Sequence, residues 1–209
     1  MELTKLSVEE FAALTASHAP APGGGSVSAL CGALAAALGE MVASLTAGKE
    51  KYAAAQGDME MMLTGLPPVR EKLLRAVAED TKAFDQYMKA LSLPKATEKE
   101  KARRRAAMEE GLKAAALVPL SVAETAVSLF PYLEKALTLG NPNAVTDGMV
   151  AVMLARTCAL GAIFNVRVNL ASIHDPDFTE KTAEKCGALQ ALAEREEHRI
   201  LDRIPLRNP

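Results

Sequence analysis

Cysteine is scarce in this chain of 209 residues: only Cys31, Cys158 and Cys186 occur. An odd number at wide spacing speaks against a disulfide framework and against a zinc ribbon. Histidine is equally sparse. His18, His174 and His198 are scattered, and none stands in a His-Glu-x-x-His pattern, so no metal site is expected. Neither sign of charge dominates, since the formal net charge is −2. Nucleic acid, which needs a basic surplus to meet its phosphates, is therefore not the expected partner. No basic segment followed by an apolar run opens the sequence, and a reduced, cytoplasmic setting is the default expectation. Strand signals are missing too, for no window alternates apolar and polar residues with β-branched enrichment between turns. Aromatic residues make up only 4% of the chain, so packing must come from close approach of Ala- and Leu-rich faces.

What remains reads almost entirely as helix. Ser7 followed by Glu10 forms a capping box for a short first helix ending near Ser17. A breaker cluster, His18 to Gly25, precedes Ser26, which is a good N-cap for an apolar helix. The stretch from Ser26 to Ala47 carries one charge, Glu40. Its small residues and this acid favour a helix buried in a bundle or interface over a membrane span. Gly48 to Lys51 ends it. A helical pattern from Tyr52 to Leu91 is interrupted at Pro67-Pro68, and Thr97 with Glu100 caps the next. Pro119 marks a kink or restart, Gly140 to Asn143 is a second strong loop, and one long helix spans about Ala144 to Ile173. A charged final helix ends near Arg203. The fold expected is all-α, a single-domain bundle of roughly seven to nine helices over residues 1–209. The basic tract Lys99 to Arg105, hemmed by Glu98, Glu100, Glu109 and Glu110, reads as a solvated helix face.

Common catalytic signatures fail. Gly23-Gly-Gly-Ser26 lacks the Gly-Lys-Ser/Thr of a Walker loop, and no strand precedes it as a dinucleotide site requires. The glycines could let a ligand approach a helix N-terminus, or simply turn the chain between helices. Two carboxylates stand out. Leu73, Val77, Asp80, Phe84, Tyr87 and Leu91 recur in steps of four and three, placing Asp80 in the middle of an apolar seam. Desolvation there raises a carboxyl pKa and suits it to proton transfer near neutrality, unless a cation on a neighbouring helix pairs with it. Asp147, in the first turns of the long helix, is favoured by the macrodipole in any case. It lies 18 residues from Asn165, about 27 Å along a straight helix, so one chain cannot bring both to one small group. Asn165 and Asn169 on an apolar helix suggest interhelical hydrogen bonding.

Taken together, Ala21-Pro-Gly-Gly-Gly-Ser-Val27, Gly48-Lys-Glu-Lys-Tyr52, Glu79-Asp-Thr-Lys-Ala-Phe84 and Leu93-Pro-Lys95 form an ordered series. Val118-Pro-Leu120, Gly140-Asn-Pro-Asn-Ala-Val-Thr-Asp147 and Phe164-Asn-Val-Arg-Val-Asn-Leu170 continue it. In this order they resemble the cyclodeaminase family: the C-terminal domain of formiminotransferase-cyclodeaminase and its stand-alone bacterial relatives. The resemblance implies an all-helical homodimer that acts on a tetrahydrofolate derivative in one-carbon metabolism and histidine degradation, with no bound metal or redox cofactor. The reaction implied is closure of 5-formimino-tetrahydrofolate to 5,10-methenyl-tetrahydrofolate with loss of ammonia. Hydrolysis of the methenyl form to 10-formyl-tetrahydrofolate is the alternative, and a non-catalytic helical scaffold belongs to another class. The family's proton donor/acceptor falls on Asp80. Substrate-binding candidates are Gly23, Gly24, Gly25, Ser26, Lys49, Lys51, Asn143 and Asp147. Among these, Asp147 would suit the 2-amino and N3 edge of a pterin, and Lys49 or Lys51 an anionic glutamate tail.

Overall fold

The computed structural model describes residues 2–205. No strand occurs among them. The helices are α1 (Val8–Thr15), α2 (Gly24–Thr46), α3 (Gln56–Leu91), α4 (Glu98–Val127), α5 (Phe130–Leu139), α6 (Val145–Leu170) and α7 (Pro176–Leu201). Short 3-10 turns cover Leu3–Lys5, Glu50–Ala55 and Pro142–Ala144. Six helices, α2 to α7, build the bundle, fewer than the expected seven to nine; the two-turn α1 packs Phe11 and Leu14 against it. Both capping boxes form as the sequence predicts, Ser7 with Glu10 and Thr97 with Glu100. Gly48 opens the connection from α2 to α3 with φ +72°, a conformation open to glycine at little cost.

Two expectations are corrected by proline. Pro67 and Pro68 do not interrupt α3, and Pro119 does not restart α4; both helices run through. A helix-interior proline costs about 3 kcal/mol. Met59, Met62, Leu66 and Leu73, all at most 1% exposed, lie on the same α3 face, each worth about 1.5–3 kcal/mol of burial. The packing term is the larger. Pro119 has a further remedy: its missing N–H would orphan the Ala115 carbonyl one turn back, and Asn169 Nδ2 of α6 donates to that oxygen at 2.9 Å. The break falls instead at Ser128–Leu129.

Helix α2 sits at the centre, and the order of its contacts sets the topology. Ser26 meets Val77, Gly32 meets Leu73 and Gly39 meets Leu66, so α2 and α3 are antiparallel. Gly24 meets Asn165, Ser28 meets Gly161 and Gly32 meets Cys158, so α6 is antiparallel to α2 as well. Close approach needs small residues, and α2 buries Ala29, Ala33, Ala35, Ala36 and Ala43 almost completely. A methyl on Gly32 would lie 2.6 Å from Cys158 Sγ and 3.1 Å from Leu73. Glu40, the lone charge of α2, is held across the α2–α3 contact by Arg70, Nε to Oε1 at 2.7 Å.

The stretches Gly24–Thr46, Glu98–Leu139 and Pro142–Leu170 are long and apolar enough to cross a membrane by length and composition. In the bundle about half of each apolar window is buried. The remainder leaves exposed rows: Leu34, Met41 and Leu45 on α2, and Val150, Met153, Phe164 and Val168 on α6.

The two kinds of glycine predict opposite outcomes. Gly187 in mid-α7 has open space where a Cβ would go. Gly187→Ala is expected to raise unfolding free energy by about 0.5–1 kcal/mol through helix propensity. Gly32→Ala gains the same propensity but overpacks a closed contact, and is expected to lower stability by a net ~1–2 kcal/mol. Urea unfolding of both variants checks the pair.

Candidate active site

The N-terminus of α2 and the middle of α3 make the site. Gly23, in extended backbone, is the N-cap of α2, and Val27 N is the first amide to bond back to it. The sequence reading places the N-cap at Ser26; the structure places Ser26 one turn-fraction inside, with its hydroxyl directed across to α3. Ser26 Oγ lies 2.9 Å from the Val77 carbonyl oxygen and 3.1 Å from Asp80 Oδ2. An N-cap hydroxyl serves its own helix, whereas this one joins two helices at a fully buried position.

Asp80 stands against the Gly25 backbone. A Cβ at Gly25 would lie 2.1 Å from Asp80 Oδ1, so only glycine leaves room for this carboxyl. The seam that carries Asp80 is buried at Leu73 and Val77 and then opens: Asp80 is half-buried and Phe84 is 39% exposed. Asp80 thus sits at the mouth of the seam, not in its middle. Burial pushes its carboxyl above the usual carboxylate range, and this outweighs the Ser26 hydrogen bonds that pull the other way. No cation is paired with it among the described residues.

The proton count at this point is informative. Ser26 has one hydroxyl hydrogen and two acceptors within reach. With Asp80 ionised, the hydroxyl can serve the carboxylate. With Asp80 protonated, Asp80 can donate to Ser26 Oγ while Ser26 donates to Val77. The carboxyl can therefore hold or release a proton without leaving a polar group stranded. Next to it, the buried Thr81 hydroxyl has no hydrogen-bond partner among the described residues.

Asn165 of α6 completes this end. Its Nδ2 donates to Gly161 O at 2.8 Å, and a Cβ on Gly24 would come within 3.3 Å of it. Sequence reasoning missed it as a site residue, although the amide pair on an apolar helix was the signal. Of that pair, Asn169 makes the interhelical bond and Asn165 faces the glycine loop. The α2 N-terminus, Gly23 to Ser26, and Asp80 thus lie together.

Lys49, Lys51, Asn143 and Asp147 are not brought to that place. They lie at the other end of α2 and α6, about 30 Å away along a 23-residue helix. Asn141 organises that end: its backbone N–H donates to Thr46 Oγ1, its Oδ1 accepts from Tyr52 Oη, and Asn143 N donates to the same oxygen. Lys51 Nζ sits 5.4 Å from the Tyr52 ring centroid, and Asp147 is half-buried in the first turn of α6. No group of three or more His, Cys, Asp or Glu capable of holding a metal occurs among the described residues. Burial pushes the thiols of Cys31, Cys158 and Cys186 upward, away from the thiolate.

Residues 7–188 match the family described as formiminotransferase-cyclodeaminase. A methenyltetrahydrofolate cyclohydrolase of Methylorubrum extorquens is 37% identical over 198 residues, covering 95% of both chains. A formimidoyltransferase-cyclodeaminase of Sus scrofa is 37% identical over 191 residues, 91% of this chain but 35% of its own. The chain thus spans about a third of the length of that animal relative. The crystal structure of a formiminotetrahydrofolate cyclodeaminase from Thermotoga maritima superposes with a TM-score of 0.85 at 32% identity, covering 97% of this chain and 99% of the other. Ordered motifs, helical architecture and sequence identity converge, and the chain belongs to the formiminotransferase-cyclodeaminase family.

Proposed function

We propose that this protein is a folate one-carbon enzyme that converts 5-formimino-tetrahydrofolate to 5,10-methenyl-tetrahydrofolate and ammonia. The observation that carries the reading is the unpaired, desolvated Asp80 carboxyl lodged on Gly25 beside the Ser26 hydroxyl. N10 attacks the carbon of the protonated formimino group; Asp80 takes the N10 proton and returns it to the departing amine; ammonia leaves as the N5–C–N10 bridge becomes the methenyl cation. A carboxyl whose pKa is raised toward neutrality suits both transfers. The donors of the α2 N-terminus face the same space. Neither step calls on a metal or redox cofactor.

The second reading is methenyltetrahydrofolate cyclohydrolase. It is favoured by the Methylorubrum extorquens relative, which has this activity in its name and matches from end to end. In it Asp80 activates water for attack on the methenyl carbon or protonates the released N5, giving 10-formyl-tetrahydrofolate. The cytoplasm is the setting proposed for either.

A homodimer is part of the proposal. The exposed apolar rows of α2 and α6 run along neighbouring antiparallel helices and ask for cover. A twofold axis across them would set the Lys49, Lys51, Asn143 and Asp147 end of one subunit beside the Asp80 end of its partner, uniting substrate-binding candidates that one chain keeps apart. Asp147 would then meet the pterin edge.

Purified protein offered both folates, with ammonia and the methenyl chromophore followed together, decides between the reactions; turnover of neither would leave only a scaffold. Asp80→Asn is expected to lower turnover about 10²–10⁴-fold with the fold intact. Because the folded pKa of Asp80 exceeds its unfolded value, ionisation in the fold carries a penalty. That penalty is absent below the ordinary carboxylate range and grows as pH rises through the raised pKa. Asp80→Asn is accordingly expected to gain stability relative to the parent over that window, read by denaturation at several pH values. Ser26→Ala removes a hydrogen bond that lowers the Asp80 pKa and is expected to move the acid limb of kcat/KM to higher pH. Met153→Lys is expected to yield monomers in light scattering and to abolish most activity.

A further inference from the structure

Along α3, Tyr87 lies seven residues past Asp80, about 10 Å on; the parallel α6 runs past Asn165 to Leu170, and Ser172 stands in the turn just beyond its end. Between these two, roofed by α4, is a cavity of about 610 Å³ lined by Tyr87, Arg105, Met108, Leu112, Ser172 and His174, with Glu109 at its edge. The volume is that of a small-molecule site. Its wall is mainly apolar near Tyr87 and Leu112. At the outer end stands Arg105, exposed and without an ion pair among the described residues. Arg105 also lines a second, adjoining depression with Lys95, Lys101 and Arg104.

The solvated-face reading of the Lys99 to Arg105 tract does not account for this. Of its cations Lys101 pairs with Glu98, and Arg104 spends Nε on the Leu91 carbonyl. Glu100 is occupied by the Thr97 cap. Glu109, the acid at the cavity, accepts from the backbone amides of His174 and Asp175 and lies 3.4 Å from His174 Nδ1, so its charge is engaged by that loop. The end of the cavity is left net basic.

Resting on the folate reading above, we propose that this cavity binds the aminobenzoyl-glutamate arm of the substrate, with Arg105 as the first anchor for its carboxylates and Lys95, Lys101 and Arg104 receiving further glutamates. The shape supports the order. The reacting one-carbon unit belongs at Asp80, an apolar ring follows along Tyr87 and Leu112, and anionic groups come last where the cations are. On this assignment the anionic tail goes to α4 and not to Lys49 or Lys51.

The test uses p-aminobenzoyl-triglutamate as a probe that needs no turnover, titrated calorimetrically into the full-length protein. Binding to the parent, weakened about tenfold or more by Arg105→Ala and by added salt, is the expected result, since a charge-assisted contact is worth about one decade. The same variant is expected to raise KM for triglutamyl folate more than for the monoglutamate, with kcat retained. Failure of the parent to bind the probe, equal binding by Arg105→Ala, or loss of binding in Lys49→Ala/Lys51→Ala instead would overturn the assignment. Probe binding by a parent that turns over neither folate would instead overturn the reaction and leave the cavity's ligand standing.

Discussion

A carboxyl group pressed against bare backbone governs this structure. Asp80 occupies the volume that a side chain at position 25 would fill, and it does so because α2 begins with glycines and crosses α3 at short range. That range is maintained further along by Gly32 against Leu73 and Gly39 against Leu66. The contact holds two opposed influences in balance. The α2 N-terminus and the Ser26 hydroxyl favour the anion, while burial favours the acid, and burial is the larger. A carboxyl poised in this way cannot be made by an aspartate in water or by one clamped in an ion pair.

The same closeness explains why the central helices are apolar nearly all round. α2 and α6 each touch several neighbours, so small residues are needed on more than one face. The rows that remain open, Leu34 to Leu45 and Val150 to Val168, are apolar like the buried faces but carry larger side chains. A helix that looks like core on every side is built to be surrounded, and a second subunit is the proposed means.

Much of this was readable beforehand because it is local. The capping boxes, the Gly48 and Gly140 loops, the long α6 and the isolation of Asp80 on its helix face all depend on spacing within a few turns. The separation of Asp147 from Asn165 is legible as plain helix arithmetic. What escaped was set by neighbours remote in sequence. Ser26 looks like an N-cap until Val77 and Asp80 are placed beside it, 51 and 54 residues away. Pro67, Pro68 and Pro119 look like breaks until the packing of α3 and the amide of Asn169 are known. Phe84 follows the seam's rhythm and yet is open, because spacing reports which face a residue is on and not where cover on that face ends.

The bond from Asn169 to Ala115 ties a fault in one helix to a side chain on another. The lone amide stitched across the gap makes positions 119 and 169 an interlocked couple. An alanine at 169 would strand the Ala115 oxygen while the proline stays, but would be far milder in a chain whose residue 119 carries its own N–H. Such coupling means that the cost of a change at either position depends on the residue at the other, across a separation of fifty positions in the chain.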